Sequence, residues 1–134
     1  MKKIALLLML LPSIMSVSAQ TNTTEQEETR IFHVNVEQFA KLVDNDKGLI
    51  LDVRTPGEWA DGTIGNATRI NYYDRDFADQ VDKLDRETPI LVYCKAGGRS
   101  MSAAEILQEK GFKKVFNLDG GITAWIKAGK NLTK

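Results

Sequence analysis

One short segment concentrates the residues that could do chemistry, and it begins at the only cysteine of the chain. The segment reads Cys94-Lys95-Ala96-Gly97-Gly98-Arg99-Ser100. The adjacent glycines allow the loop to pass through positive φ, so that backbone N–H groups point inward and form a nest for an anion. A helix that starts behind the loop adds about half a positive charge, and the lysine and arginine add full charges. These features favour the thiolate and predict a nucleophilic cysteine.

Two other interpretations of Cys94 have less support. Free cysteine often packs as a small hydrophobic side chain, but here two glycines and two cations follow it, which favours a functional role. His33 is the only histidine and lies in a distant segment, so the loop itself must activate the thiol. A chain with one cysteine and one histidine offers no ligand cluster for zinc and no internal disulfide.

The first nineteen residues predict a secretory signal peptide with cleavage after Ala19. Two lysines precede an apolar run at residues 4–11, and small residues precede the expected cleavage site. The apolar segment is shorter than the roughly 20 residues of a spanning helix and contains a proline, which disfavours a membrane anchor. We therefore expect a periplasmic or secreted protein, with a disordered leader at 20–31 and one domain at 32–134.

Apolar periodicity predicts alternating strands and helices in that domain. Strands are predicted at 31–34, 49–53, 69–72, 89–93 and 115–118. Helices are predicted at 36–43, 77–84, 100–110 and after Gly121, with a helical turn at 58–60. Elements of this length indicate an α/β domain with a mainly parallel sheet. Ligands bind beyond the carboxyl ends of such strands, and Cys94 follows one of them.

The residues around the loop and the overall charge complete the chemical interpretation. Asp52 and Arg54 end the neighbouring strand and are expected to support the site, with Arg54 paired to Glu58 across the turn. The chain has 18 basic and 18 acidic residues. This balance gives no indication of a nucleic-acid partner, or of an anionic membrane as partner after the signal is removed.

Three segments together resemble the rhodanese family. The first reads LDVRTPGEW from Leu51 to Trp59 and resembles a signature of Asp-x-Arg followed by an acidic-aromatic pair. The second is the Cys94 loop, and the third reads LDGGITAW and resembles the closing signature. The resemblance covers Val34 to about Gly129. One departure is Thr63, where the family commonly has histidine in Gly-His-Ile-x-Gly-Ala.

The resemblance implies a single rhodanese-like domain, with a mainly parallel central sheet flanked by helices on both faces. It also implies that the Cys94 thiolate takes the outer sulfur of thiosulfate or a persulfide and passes it to cyanide or a thiol, including a protein thiol. The N–H groups from Ala96 through Gly97 and Gly98 to Ser100 would hold the anionic sulfur. Lys95 and Arg99 would bind the anionic donor, and no metal or organic cofactor is implied.

Two alternatives from different classes stay open at this point. A phosphatase or arsenate reductase of the related cell-cycle phosphatase fold would use a Cys-x5-Arg loop, whereas this chain has Cys-x4-Arg, one residue shorter, which favours sulfur. The other alternative is a non-catalytic persulfide carrier or a protein-binding rhodanese module. A carrier needs the same persulfide as an enzyme, so the residues do not separate the two.

Overall fold

The computed structural model describes residues 28–134, together with residues 12, 13, 15, 16 and 18. Most of the predicted signal peptide and residues 20–27 of the predicted leader lie outside the described residues. The elements of the described part are β1 (Arg30–Val34), α1 (Val36–Asp44), β2 (Leu49–Asp52), α2 (Pro56–Trp59), β3 (Thr68–Arg69), α3 (Phe77–Asp82), β4 (Ile90–Tyr93), α4 (Gly98–Glu109), β5 (Lys114–Leu118) and α5 (Gly121–Lys127). In this part of the chain no helix has the length and apolar character needed to cross a membrane.

The strands form one parallel sheet in the order β1-β5-β4-β2-β3. Its central strand, β4, is buried along its whole length, as expected of an apolar strand covered on both faces. Ile90 at the start of β4 is in register with Leu49 of β2 and with Val115 of β5. The carboxyl end of β4, where Cys94 follows, therefore lies in the middle of one edge of the sheet.

Helices cover both faces of the sheet, because alternate side chains of β4 point to opposite sides. Ile90 and Val92 pack in one core cluster with residues of α3 and α4. Leu91 and Tyr93 pack in a second cluster with residues of α1 and α5. This arrangement confirms the predicted α/β class, the parallel sheet and the helices on both faces.

Several boundaries differ from the sequence prediction. β1 begins at Arg30, so the strand includes the last two residues of the predicted disordered leader. β3 contains only Thr68 and Arg69, although the N–H groups of Ile70 and Tyr72 still donate to carbonyl groups of the β2 segment. α4 begins at Gly98 rather than Ser100, so the second glycine of the pair belongs to the helix.

Candidate active site

Cys94 lies directly after β4, and the loop that follows turns back over its sulfur. The Gly97 N–H donates a hydrogen bond to Cys94 Sγ over 3.0 Å. Gly97 has a φ of 112°, in the left-handed region that favours glycine, and α4 starts immediately behind it. The side chain of Cys94 is 1% exposed and packs at the end of the first core cluster. The thiol is therefore held by backbone donors in a nearly dry position.

Two opposing effects set the pKa of the Cys94 thiol. Burial raises this pKa, because the charged thiolate loses contact with water. Hydrogen bonds from the Ser100 hydroxyl and from the backbone N–H groups of Ser100, Gly97 and Ala96 lower it. The net result is a pKa below the ordinary value. Ser100 Oγ also lies 3.1 Å from the Gly97 carbonyl oxygen, and its single proton serves one of these two acceptors at a time.

The structure therefore brings three of the predicted loop residues to the sulfur: Ala96, Gly97 and Ser100. Gly98 and Arg99 lie with Ser100 in the first turn of α4, and the charge of Arg99 interacts with Cys94 through space. The start of this helix behind the thiol adds the partial positive charge that the sequence predicted.

The first turn of α5 fixes the other side of the loop. The N–H groups of Ile122 and Thr123 donate to the carbonyl oxygens of Cys94 and Lys95 at 2.9 and 3.0 Å. Gly121 makes this approach possible, since a Cβ at its position would lie 2.5 Å from both carbonyl oxygens. Its φ of 58° is also in the left-handed region. The sequence identified this segment as a signature, but not as the clamp of the cysteine loop.

Arg99 is held by Glu58 rather than directed into open solvent. Its guanidinium nitrogens lie 2.7 and 3.0 Å from the two carboxylate oxygens of Glu58, and the guanidinium lies 5.6 Å from the centre of the Tyr73 ring. The hydrogen bond from Arg99 is the main cause that lowers the pKa of Glu58 to about 2. The role of Glu58 as partner of Arg99 was missed at the sequence level.

The predicted pairing of Arg54 with the Glu58 side chain is wrong. Arg54 instead binds the carboxylate of Asp52, with N–O distances of 3.0 and 2.8 Å, and donates to the Gly62 carbonyl at 2.7 Å. Its contact with Glu58 is limited to the backbone carbonyl at 3.4 Å. Asp52 and Arg54 are two residues apart at the end of β2, and residues at this spacing lie on the same face of an extended chain. This spacing was the sequence pattern that could have indicated their pairing.

Tyr93 connects this buried ion pair to the strand that carries the cysteine. Its hydroxyl donates to Asp52 over 2.6 Å and accepts from the Ile64 N–H over 2.9 Å. Burial raises the pKa of the Tyr93 hydroxyl, which therefore stays a proton donor. Asp52 is 0% exposed and Arg54 4%. These predicted supporting residues thus brace the segment between β2 and Ile64, and Arg54 also reaches the wall of the cleft described next.

A cleft of about 520 Å³ opens beside the loop. The residues that line it are Arg54, Glu58, Asp61, Gly62, Tyr73, Lys95, Arg99, Ile122, Thr123, Ile126 and Leu132. Lys95 and Arg99, predicted to bind the donor, are both among them. Cys94 is not among the residues that line the cleft, whereas its neighbour Lys95 is.

Thr63, at the position of the usual family histidine, does not line this cleft. Its backbone forms an antiparallel bridge with Thr133, with N–O distances of 2.8 and 2.7 Å. Its hydroxyl lies 3.4 Å from the Gly65 carbonyl oxygen. The departure from the family pattern therefore lies in a segment that anchors the end of the domain next to Leu132.

A buried cysteine at the carboxyl end of a central parallel strand, enclosed by backbone donors, defines a class of cysteine-loop α/β domains. The family model of the Rhodanese-like domain matches residues 35–128. The chain therefore belongs to the rhodanese-like domain family. Among the described residues no group of three His, Cys, Asp or Glu side chains is placed to hold a metal ion.

Known proteins resemble the chain in sequence and in fold. A tRNA uridine(34) hydroxylase of Chlamydia trachomatis is 33% identical over 118 residues, which cover 84% of this chain and 35% of that protein. The chain thus spans about a third of the length of this relative. A rhodanese-related protein from Thermoplasma volcanium superposes with a TM-score of 0.69 at 27% identity, over 76% of this chain and 97% of that one.

A rhodanese-like domain protein from Staphylococcus aureus has a TM-score of 0.65, also at 27% identity, over 77% of this chain and 99% of that one. Membership of the family supports a sulfurtransferase type of activity in general, and the sequence relative is named as an enzyme.

Proposed function

We propose that the protein is a sulfurtransferase that moves sulfane sulfur from thiosulfate or a persulfide to a thiophilic acceptor through a persulfide on Cys94. The observation that carries this proposal is the lowered pKa of Cys94 together with the Gly97 N–H directed at its sulfur. A thiolate is the form that attacks a sulfur electrophile, and the same donors suit the anionic end of a persulfide.

The chemistry proceeds in two displacements. The Cys94 thiolate attacks the outer sulfur of the donor, the S–S bond of the donor breaks, and sulfite or a thiolate leaves with the bonding electron pair. An acceptor such as cyanide or a thiol then attacks the terminal sulfur of the persulfide and regenerates the Cys94 thiolate. The covalent intermediate divides one transfer into two easier steps. Lys95 on the cleft wall attracts the anionic donor.

The alternatives differ from this proposal in what they require of the site. A persulfide carrier would load Cys94 but pass the sulfur only to a protein thiol, and a binding module would not load it. The name tRNA uridine(34) hydroxylase belongs to a protein of which this chain spans about a third. Because the charges of the chain balance, we propose a small-molecule donor and no nucleic-acid partner. From the signal-peptide pattern we also propose export to the periplasm or beyond.

Intact mass spectrometry of the protein before and after thiosulfate or an organic persulfide, followed by a cyanide chase, tests the proposal. We expect a gain of one sulfur atom that cyanide removes as thiocyanate, and no gain in Cys94→Ser. An unchanged thermal unfolding curve of Cys94→Ser shows that its loss of loading is chemical. Repeated thiocyanate turnover identifies an enzyme, and loading without turnover identifies a carrier. Hydrolysis of a phosphate monoester by Cys94 would overturn the proposal in favour of a phosphatase.

A further inference from the structure

The two arginines of the cleft have their charges neutralised within the protein. Both carboxylate oxygens of Glu58 bind Arg99, and Asp52 binds Arg54 at 2.8 Å. Asp61 adds another carboxylate to the wall. Of the cations among the described residues that line the cleft, only Lys95 has no ion pair. Asp61 has no ion pair among the described residues either, so the unpaired charges of the cleft are the cation of Lys95 and the carboxylate of Asp61.

Part of the lining of the cleft is apolar. It is formed by Tyr73, Ile122, Ile126 and Leu132. Ile126 is 53% exposed and Tyr73 is 66% exposed, so a ligand with an apolar body would remove this surface from water. The volume of about 520 Å³ falls within the roughly 300–1,000 Å³ of clefts that hold organic ligands. Thiosulfate, a small and strongly hydrated dianion, uses neither the volume nor the apolar wall.

We propose that the donor for this site is an organic sulfane-sulfur compound with one negative charge and an apolar body, and that Glu58 sets this preference by neutralising Arg99. The inference rests on the proposed function and names the substrate class of the same site. A monoanion matches the cation of Lys95, whereas a dianion brings a second negative charge close to the unpaired carboxylate of Asp61. Organic persulfides and thiosulfonates both have the required chemistry.

The transfer step balances for such donors. The Cys94 thiolate attacks the terminal sulfur of R–S–S⁻ or R–SO₂–S⁻, and the S–S bond of the donor breaks as the S–S bond of the Cys94 persulfide forms. The leaving group is a thiolate or a sulfinate, which takes the bonding electron pair. One sulfur atom moves at its own oxidation level, so the step uses no oxidant or reductant.

Thiosulfate and benzenethiosulfonate form a suitable pair of probes, because each transfers its outer sulfur from an oxidised sulfur centre. The second-order rate of sulfur gain by Cys94 is measured for each by intact mass spectrometry and divided by the rate with free cysteine. We expect the wild-type protein to favour benzenethiosulfonate after this correction. In Glu58→Gln the thiosulfate rate should rise about fivefold or more, since an unmatched charge at about 4 Å changes a barrier by that factor even in water. The benzenethiosulfonate rate should change less.

A second variant keeps the inference testable if Glu58→Gln fails to fold. Ile126→Lys places a charge on the exposed apolar wall and should lower the corrected preference for benzenethiosulfonate. Met101→Lys is the matched control, because Met101 is 49% exposed on α4 and is not among the residues that line the cleft. It adds the same charge and should leave the preference unchanged.

The outcomes separate this inference from the proposed function. Absence of loading by both donors overturns the proposed function and the inference together. Loading with a corrected preference for thiosulfate, or with an unchanged preference in Glu58→Gln, overturns the inference alone. An equal shift in Ile126→Lys and Met101→Lys also overturns it, because the effect would then come from overall charge and not from the wall of the cleft.

Discussion

Gly121→Ala should disable the cysteine loop at a site that touches no substrate. A Cβ at Gly121 meets the carbonyl oxygens of Cys94 and Lys95 at 2.5 Å, so the clamp must move away from the loop. The movement weakens the hydrogen bonds from Ile122 and Thr123, each worth about 0.5–1.5 kcal/mol. The left-handed φ of this position adds about 1–2 kcal/mol for any residue with a Cβ. We expect a total loss of about 2–5 kcal/mol in the free energy of unfolding.

Gly129→Ala separates the clash from the backbone strain. Gly129 has a φ of 76°, and no heavy atom lies within 4 Å of its would-be Cβ, so this variant should lose only the strain of about 1–2 kcal/mol. Urea unfolding measures both losses, and the rate of sulfur loading measures the state of the loop. We expect loading to fall at least about tenfold in Gly121→Ala, the effect of about 1.4 kcal/mol on a barrier, and to be retained in Gly129→Ala. Equal unfolding free energies and equal loading rates in the two variants would refute the role of the clamp.

Three further changes test the site. The rate of Cys94 alkylation in the wild-type protein should rise with pH at a midpoint below that of a free thiol. Ser100→Ala removes a hydrogen bond to the Cys94 sulfur, so this midpoint should move to higher pH. Asp52→Asn leaves the buried guanidinium of Arg54 without its carboxylate and should cost about 3–5 kcal/mol in urea unfolding. The pKa of Glu58 is lowered from 4.5 to about 2, so the stability advantage of wild type over Glu58→Gln should be present above pH 4.5 and disappear as the pH falls through about 2.

Each of these predictions has an outcome that contradicts it. An alkylation midpoint that is the same in Ser100→Ala and wild type would show that the backbone N–H groups alone lower the pKa of Cys94. If Asp52→Asn lowers the free energy of unfolding by less than about 1 kcal/mol, the loss is that of an exposed ion pair. Such a result would contradict the assignment of Arg54 and Asp52 as a buried ion pair. An advantage over Glu58→Gln that does not shrink between pH 4.5 and pH 2 would show that the stabilisation by Glu58 does not depend on its charge.

The elements of the fold and the position of the cysteine loop could be predicted from the sequence. Apolar runs such as β4, which reads ILVY, favour a buried strand, and the glycine pair marks the turn into α4. The order of the strands could not be predicted in the same way, since no residue in β1 specifies β5 as its neighbour. The class of fold follows from local pattern, whereas pairing depends on the packing of the whole chain.

The errors in the site have the same origin. Glu58 was assigned to Arg54 because the two are close in sequence, yet its carboxylate binds Arg99 from a different helix. Gly121 is required because it lies against the carbonyl groups of Cys94 and Lys95, which are distant in the sequence. No local sequence pattern predicts this close packing. The position of Cys94 between β4 and α4 could be predicted, because every residue needed for that prediction is adjacent in the chain.

The strand order also determines when the environment of the Cys94 thiol can form during synthesis of the chain. In the sheet of the described residues, β1 pairs only with β5, and the clamp at Gly121 follows β5 in the chain. When Cys94 has emerged from the ribosome but β5 and Gly121 have not, the chain cannot pair β1 with β5. It also cannot form the hydrogen bonds from Ile122 and Thr123 that hold the cysteine loop. In such a chain the sulfur lacks the burial and the fixed hydrogen bonds that set its pKa in the folded domain. The segment around Gly121, which is translated after the cysteine, is thus needed to hold the loop in the conformation that directs its N–H groups at the sulfur.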